Sequence, residues 1–277
     1  MGHASRGAGA GGTSRRPPLG RTRRSAPILG GVAANTAVKA VLWDVDDTLF
    51  DYTGADTAGL AAHLRAEGLL ERFGGPEAAL ARWRTLTRRH WGRFAEGGVG
   101  FLEQRRDRVR DFLEAPLSDA EADAWFEAYF GHYEAAWTLF ADVLPALDAL
   151  AASHRHGVLS NSSVTVQGPK LGTLGLGDRF ETLLCAAELG VSKPDPGAFR
   201  AAARALGLAP AEIAYVGDEP WIDARGAVDA GLVGVWLDRA GRHAREEVPE
   251  GVHRIGGLAE LPVLLGDTRF GAPSTFG

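Results

Sequence analysis

Cysteine occurs once in the 277 residues, at Cys185, which rules out an internal disulfide and fits a reducing cytoplasm. Lysine is nearly as scarce: Lys39, Lys170 and Lys193 stand against 27 arginines, so each lysine is a position to account for. No apolar run approaches the ~18–20 residues of a membrane-spanning helix, and no membrane partner is expected. Acidic residues are missing from the first 36 positions, which hold six arginines. Taking those charges from the overall −5 leaves −11 on the rest, a body that argues against a nucleic-acid duplex as partner.

What is present divides the chain by texture. Residues 1–36 are rich in Gly, Arg, Ser, Pro and Ala without a hydrophobic period, and read as a disordered basic tail. Their Arg- and Ser-rich start is like a transit peptide but has no amphipathic stripe or apolar core. The Gly-Ala run inside follows no strand and makes no phosphate loop. A first strand is expected over 38–43. From 54 to 137 the pattern is helical, with Leu80, Trp83, Thr87, Trp91 and Phe94 at helical spacing after Pro76. Gly97 and Gly98 break that helix, and Ser118 with Glu121 forms a capping box ahead of another. Helix and strand then alternate: helices over 143–152 and 196–206, strands over 157–160, 183–186, 213–217 and 233–237. Such alternation predicts an α/β fold, a Rossmann-like doubly wound parallel sheet with helices on both faces. The core is expected over 37–53 and 138–267, the helical insert over 54–137, and a loose tail over 268–277.

Chemistry gathers at the predicted strand ends. The first strand runs straight into Asp44, Asp46 and Thr48. Two carboxylates one residue apart repel unless a cation or a proton manages them, which suits Mg²⁺-assisted chemistry with one as nucleophile and one as acid/base. Ser160 and Asn161 end the next strand, and Asp218 ends the one over 213–217. In a parallel sheet, ligands bind beyond those carboxyl ends.

Four motifs in order, Asp44-Val-Asp46-Asp47-Thr48, Leu159-Ser160-Asn161, Gly190-Val-Ser-Lys193-Pro194-Asp195 and Val216-Gly217-Asp218 with Asp223, resemble the haloacid dehalogenase superfamily. The likeness covers about residues 38–265 and falls in the phosphatase branch that carries a helical cap after the first motif. It implies Asp44 as nucleophile, forming an aspartyl-phosphate, and Asp46 as general acid and base. It implies Mg²⁺ held by Asp44, the backbone carbonyl of Asp46 and Asp218, with Asp223 supporting them. Ser160, Asn161 and Lys193 are implied to bind the phosphoryl group. The residue after Asn161 is Ser162, where many relatives carry Gly, and Glu219 stands where a small polar residue is common. Asp47 and Asp195 read as structural, the latter as a helix N-cap before Pro196.

The implied activity is that of a cytoplasmic, Mg²⁺-dependent phosphomonoesterase for a small metabolite: a nucleotide, flavin mononucleotide, or a sugar or organic-acid phosphate. A phosphomutase and a non-catalytic module on this fold are the alternatives. Dehalogenation is disfavoured, because a halide leaves without needing the proton of Asp46 or a metal. The segment 50–54 reads as a hinge into the cap, most cap tryptophans as packing, and Arg105, Arg106 and Arg108 as candidates for the substrate's polar end. His154-x-His156 lacks the partners of a zinc site, and Cys185 reads as inert packing. The oligomeric state is left open.

Overall fold

The computed structural model describes residues 37–266 except 96 and 242–246, so the expected tails over 1–36 and 268–277 lie outside the described residues. Six strands form one parallel sheet: β1 (Ala40–Trp43), β2 (Arg155–Ser160), β3 (Thr182–Cys185), β4 (Ile213–Gly217), β5 (Val233–Leu237) and β6 (Val252–Ile255). Their order is β3-β2-β1-β4-β5-β6. β1 therefore lies in the interior of the sheet, and the chain runs outward from it in two directions. The crevice beyond the carboxyl ends of β1, β2 and β4 is the switch point at which such sheets bind ligands.

β3 stops at Cys185, one residue short of expectation, because Ala186 opens a helix. β6 was not anticipated. Its two central residues, His253 and Arg254, are exposed, so this edge strand lacks the apolar signal of the others.

Four helices fill the chain after β1: α1 (Tyr52–Ala66), α2 (Pro76–Ala95), α3 (Phe101–Leu113) and α4 (Asp119–Ala135). They are followed by α5 (Val143–Leu150), α6 (Val164–Thr173), α7 (Ala186–Leu189), α8 (Pro196–Leu206), α9 (Arg225–Asp229) and α10 (Leu261–Gly266). The punctuation follows local chemistry. Asp51 caps α1 through Gly54 N, Ser118 and Glu121 cap α4 reciprocally, and Asp195 caps α8 through Gly197 N. Gly207 ends α8 at φ 65°, a left-handed conformation that costs glycine little.

Successive side chains of β1 face opposite layers. Ala40 and Leu42 pack with Phe199 of α8 and Tyr215 of β4; Val41 and Trp43 join the larger cluster on the other face. That larger cluster is continuous with the inserted helices, running through Val45, Leu49 and Phe50 to Trp83, Phe112, Tyr129 and Tyr133. The segment that leaves β1 with the catalytic candidates is thus anchored in that larger cluster by Val45, Leu49 and Phe50.

Candidate active site

Asp44 follows β1 directly, and its backbone N–H donates to Val216 O at 2.9 Å, which fixes it beside the end of β4. The next turn is tight. The amides of Leu49 and Phe50 both return to Val45 O, each at 2.9 Å, and Asp47 sits at φ 59°. The Asp47 carboxylate accepts from Thr53 N at 2.8 Å and from the Thr53 hydroxyl at 2.5 Å. Asp47 thus ties the turn after β1 to α1, in keeping with its structural reading.

Lys193 reaches into the same pocket from the segment between α7 and α8. Its Nζ donates to Asp44 Oδ1 at 2.7 Å, to Asp223 Oδ1 at 2.7 Å and to the Tyr215 hydroxyl at 2.6 Å. The Tyr215 hydroxyl in turn donates to Leu159 O at 2.8 Å. Asn161 grips the Lys193 backbone twice: Oδ1 accepts from Lys193 N and Nδ2 donates to Lys193 O, both at 2.8 Å. Its side chain, expected at the phosphate, is here engaged in placing the lysine. Burial alone would lower the Lys193 pKa, but Asp223 and Asp44 outweigh it and hold it well above the usual lysine value.

Asp218 and Asp223 close the pocket from the end of β4. Gly217 makes room for Asp223, since a Cβ there would stand 2.3 Å from Asp223 Oδ2. That Oδ2 also accepts from Glu219 N at 3.1 Å. Asp44, Asp218 and Asp223 each offer a carboxylate oxygen within 4.8 Å of the others, and they are the one group of three or more potential metal ligands among the described residues. Burial, with repulsion from Asp223 and Asp46, pushes Asp44 up to about 7 despite the pull of Lys193. Burial, then Asp44 and Asp223, pushes Asp218 up to about 9. Fully ionised, the three carboxylates exceed the one ammonium by two negative charges, and the raised pKa values of Asp44 and Asp218 are the cost of that excess without a cation. An all-oxygen set with that deficit fits a hard dication such as Mg²⁺.

Asp46 points to a different set of partners. Lys170 Nζ donates to its Oδ1 at 2.6 Å, and Gln167 Nε2 to its Oδ2 at 2.8 Å. Gln167 Nε2 also donates to Ser160 Oγ at 3.2 Å, which leaves the Ser160 proton free to be donated. Lys170 lies one turn after Gln167 on α6, and its Nζ rests 4.4 Å from the centre of the Phe50 ring. Sequence reasoning missed Gln167, Lys170 and Tyr215. For Lys170 a signal existed, since it is one of only three lysines.

Asp44, Asp46, Ser160, Lys193, Asp218 and Asp223 are thus brought to one end of one sheet, from four separate parts of the chain. Residues 38–231 match the family model of the haloacid dehalogenase-like hydrolases. The chain belongs to this family. It is 34% identical over 251 residues to a phosphoserine phosphatase of Thermus thermophilus, covering 81% of this chain and 98% of that one. A hydrolase of the family from Bacillus subtilis, solved bound to magnesium, shares the fold with TM-score 0.65 at 22% identity, covering 83% of this chain and all of the other. A 2-haloacid dehalogenase from Pseudomonas syringae pv. tomato superposes with TM-score 0.59 at 27% identity, covering 82% and 98% of the two chains. The chain is an enzyme of the phosphatase type within this family. Among the described residues no helix is long and apolar enough to cross a membrane.

Proposed function

We propose that the protein is a Mg²⁺-dependent phosphomonoesterase acting on a small phosphorylated metabolite in the cytoplasm, through an aspartyl-phosphate. The observation that carries this reading is the division of labour between the two first-motif carboxylates. Asp44 is held by Lys193 among the acidic ligands, while Asp46 stands apart on Lys170 and Gln167. A halide leaves as an anion and has no use for a second carboxylate; an alkoxide must be given a proton.

In this reading an Asp44 oxygen attacks phosphorus in line, and the bond from phosphorus to the ester oxygen breaks. Asp46, an acceptor from Lys170 and Gln167 in this structure, takes up a proton as the phosphate ester binds and gives it to that oxygen, and the alcohol leaves. Asp46 then takes a proton from water, whose oxygen attacks the same phosphorus. The bond to Asp44 breaks, and inorganic phosphate is released with the nucleophile restored. Ser160 donates to the phosphoryl oxygens, and Lys193 supplies positive charge beside Asp44. Asn161 serves this step by fixing the Lys193 backbone. Asp44, the Asp46 carbonyl and Asp218, supported by Asp223, would hold Mg²⁺, which supplies charge neutralisation on the phosphoryl group. The insert over 54–137, built from α1 to α4, serves as the cap, entered through the 50–54 hinge and closing over the leaving group. The phosphoserine-phosphatase relative supports a small phosphate ester as substrate.

The test is phosphate release from nucleotides, flavin mononucleotide, sugar phosphates, phosphoglycolate and phosphoserine, with Mg²⁺ and with chelator. Release is expected only with the metal, and Asp44→Asn should abolish it while circular dichroism stays unchanged. Turnover retained in Asp44→Asn would sink the nucleophile assignment.

A further inference from the structure

Of the three lysines in the chain, the two buried ones each serve one first-motif carboxylate. Lys39 pairs with Glu212 at the surface, with 58% of its side chain exposed. Lys193 serves Asp44, and Lys170 serves Asp46. The second pair is lopsided. The Asp46 side chain is 35% exposed, whereas that of Lys170 is 3% exposed. A carboxylate that water already reaches gains little stability from an ion pair, and a buried ammonium gives up its hydration to make one. As a device for holding the fold together, the pair is therefore poor.

Gln167 shows the same asymmetry. It is fully buried, and both acceptors of its amide nitrogen lie at the reaction centre: Asp46 Oδ2 at 2.8 Å and Ser160 Oγ at 3.2 Å. Its Oε1 is buried without a partner, a state that costs stability. The helix between the two residues is irregular as well. Gly168 and Pro169 separate Gln167 from Lys170, and a proline inside a helix removes a backbone hydrogen bond and crowds the preceding turn. Such costs, gathered on one short helix beside the general acid, mark that face as functional. Lys170 and Gln167 together leave neither carboxylate oxygen of Asp46 free to swing: Oδ1 is tied to the first and Oδ2 to the second.

We propose that Lys170 and Gln167 are positioning residues that aim the Asp46 proton at the leaving oxygen. Lys170 anchors Oδ1, and Oδ2 is the oxygen that carries the proton and later takes one from water. This rests on the phosphatase reading, in which Asp46 is acid and then base. The choice between the two oxygens follows from what their donors can do. Among the described residues the Lys170 ammonium has no hydrogen-bond acceptor besides Oδ1, and the Phe50 ring lies 4.4 Å from it. The Gln167 amide already has a second acceptor in Ser160 Oγ, so it can release Oδ2 and stay hydrogen-bonded. In the same reading Ser160 donates to the phosphoryl group, so this shared amide also sets Oδ2 on the phosphoryl side of the carboxylate. As the bond from phosphorus breaks, its electron pair stays on the ester oxygen, which takes the Oδ2 proton and leaves as the alcohol.

The test compares two esters that differ in their need for that proton. An alkoxide is too basic to leave without one, whereas 2,4-dinitrophenolate leaves as the anion. The measured quantity is kcat/KM, which reports the steps up to formation of the aspartyl-phosphate. It is taken for the fastest alkyl ester of the phosphate-release panel and for 2,4-dinitrophenyl phosphate. In Lys170→Met it should fall by about 100-fold on the alkyl ester, through kcat rather than KM, and by no more than about five-fold on the aryl ester. Lys170→Arg should recover part of the alkyl loss. Gln167→Met, which removes no charge, should show the same selective loss, and it carries the test if circular dichroism shows that Lys170→Met does not fold. In an Asp46→Asn background, Lys170→Met should cost little further on the alkyl ester, because a residue acting through Asp46 has nothing left to position. Equal losses on the two esters in folded variants, or no loss on either, would overturn the positioning role and leave the phosphatase reading standing. So would a full additional loss in the Asp46→Asn background. An Asp46→Asn variant that itself loses both esters alike would overturn the acid assignment and the positioning role with it. No release from either ester by the unaltered protein would overturn the phosphatase reading and the positioning role together.

Discussion

Lys193 is the residue on which the charge balance of the site turns. One ammonium serves two buried carboxylates, Asp44 and Asp223, and a tyrosine hydroxyl. Replacing it with the similarly sized, neutral Lys193→Met leaves both carboxylates without their counter-charge. Loss of one partner from a buried pair costs about 3–5 kcal/mol. The expected outcome is a loss of that order in urea unfolding of metal-free protein, partly recovered on adding Mg²⁺, and turnover down by about 100-fold or more. Unchanged stability without metal would show that the carboxylates do not need the ammonium. At this scale Asp44, Asp46, Ser160, Lys193 and Asp218 were legible because each stands at a predicted strand end or in a motif of fixed local spacing. Gln167, Lys170 and Tyr215 were not, because they occupy interior positions of a helix and a strand. Their meaning lies in contacts with Asp46 and Lys193 that are remote in sequence, and local spacing carries no trace of those.

Elements were legible wherever the signal is local. The Pro76 start of α2, the Ser118–Glu121 box and the Asp195 cap are short-range hydrogen-bond chemistry, and the structure has all three. How helices approach one another is not written locally. Gly59 in the middle of α1 would read as a weak point, since glycine lowers helix propensity. In the fold it is the contact that lets α1 and α4 meet, because a Cβ there would stand 2.5 Å from Tyr133 Cα. Backbone cannot rotate out of the way as a side chain can, so the helices must separate. Gly59→Ala should therefore destabilise the protein by about 1–3 kcal/mol despite its better helix propensity. The denaturation midpoint checks this, and a midpoint equal to or above that of the unaltered protein would mean that the two helices have slack.

The whole molecule answers to pH through a histidine that takes no part in the chemistry. His156 lies in β2, paired in register with Val41 of β1, and its Nδ1 accepts from Trp43 Nε1 at 3.1 Å. A proton on Nδ1 would displace that donor and place a charge within the sheet. Burial, helped by His154 and Arg179, accordingly lowers the His156 pKa from 6.5 to about 4. The unfolded chain has no such restriction and takes up the proton near 6.5. Between those two values the unfolded state binds more protons than the folded one, so stability falls as the pH falls. The contribution is fully present above pH 6.5, declines through the window, and is gone near pH 4, a span on the order of 3 kcal/mol. Carboxylates and other histidines titrate in the same range, so the informative quantity is the difference from His156→Asn. That variant keeps an acceptor for Trp43 but cannot take up the proton. Urea unfolding at pH 7, 5.5 and 4.5 should show the unaltered protein losing more stability than the variant at each step down. Parallel losses would mean that the sheet accommodates a charged His156 and that acid sensitivity arises elsewhere.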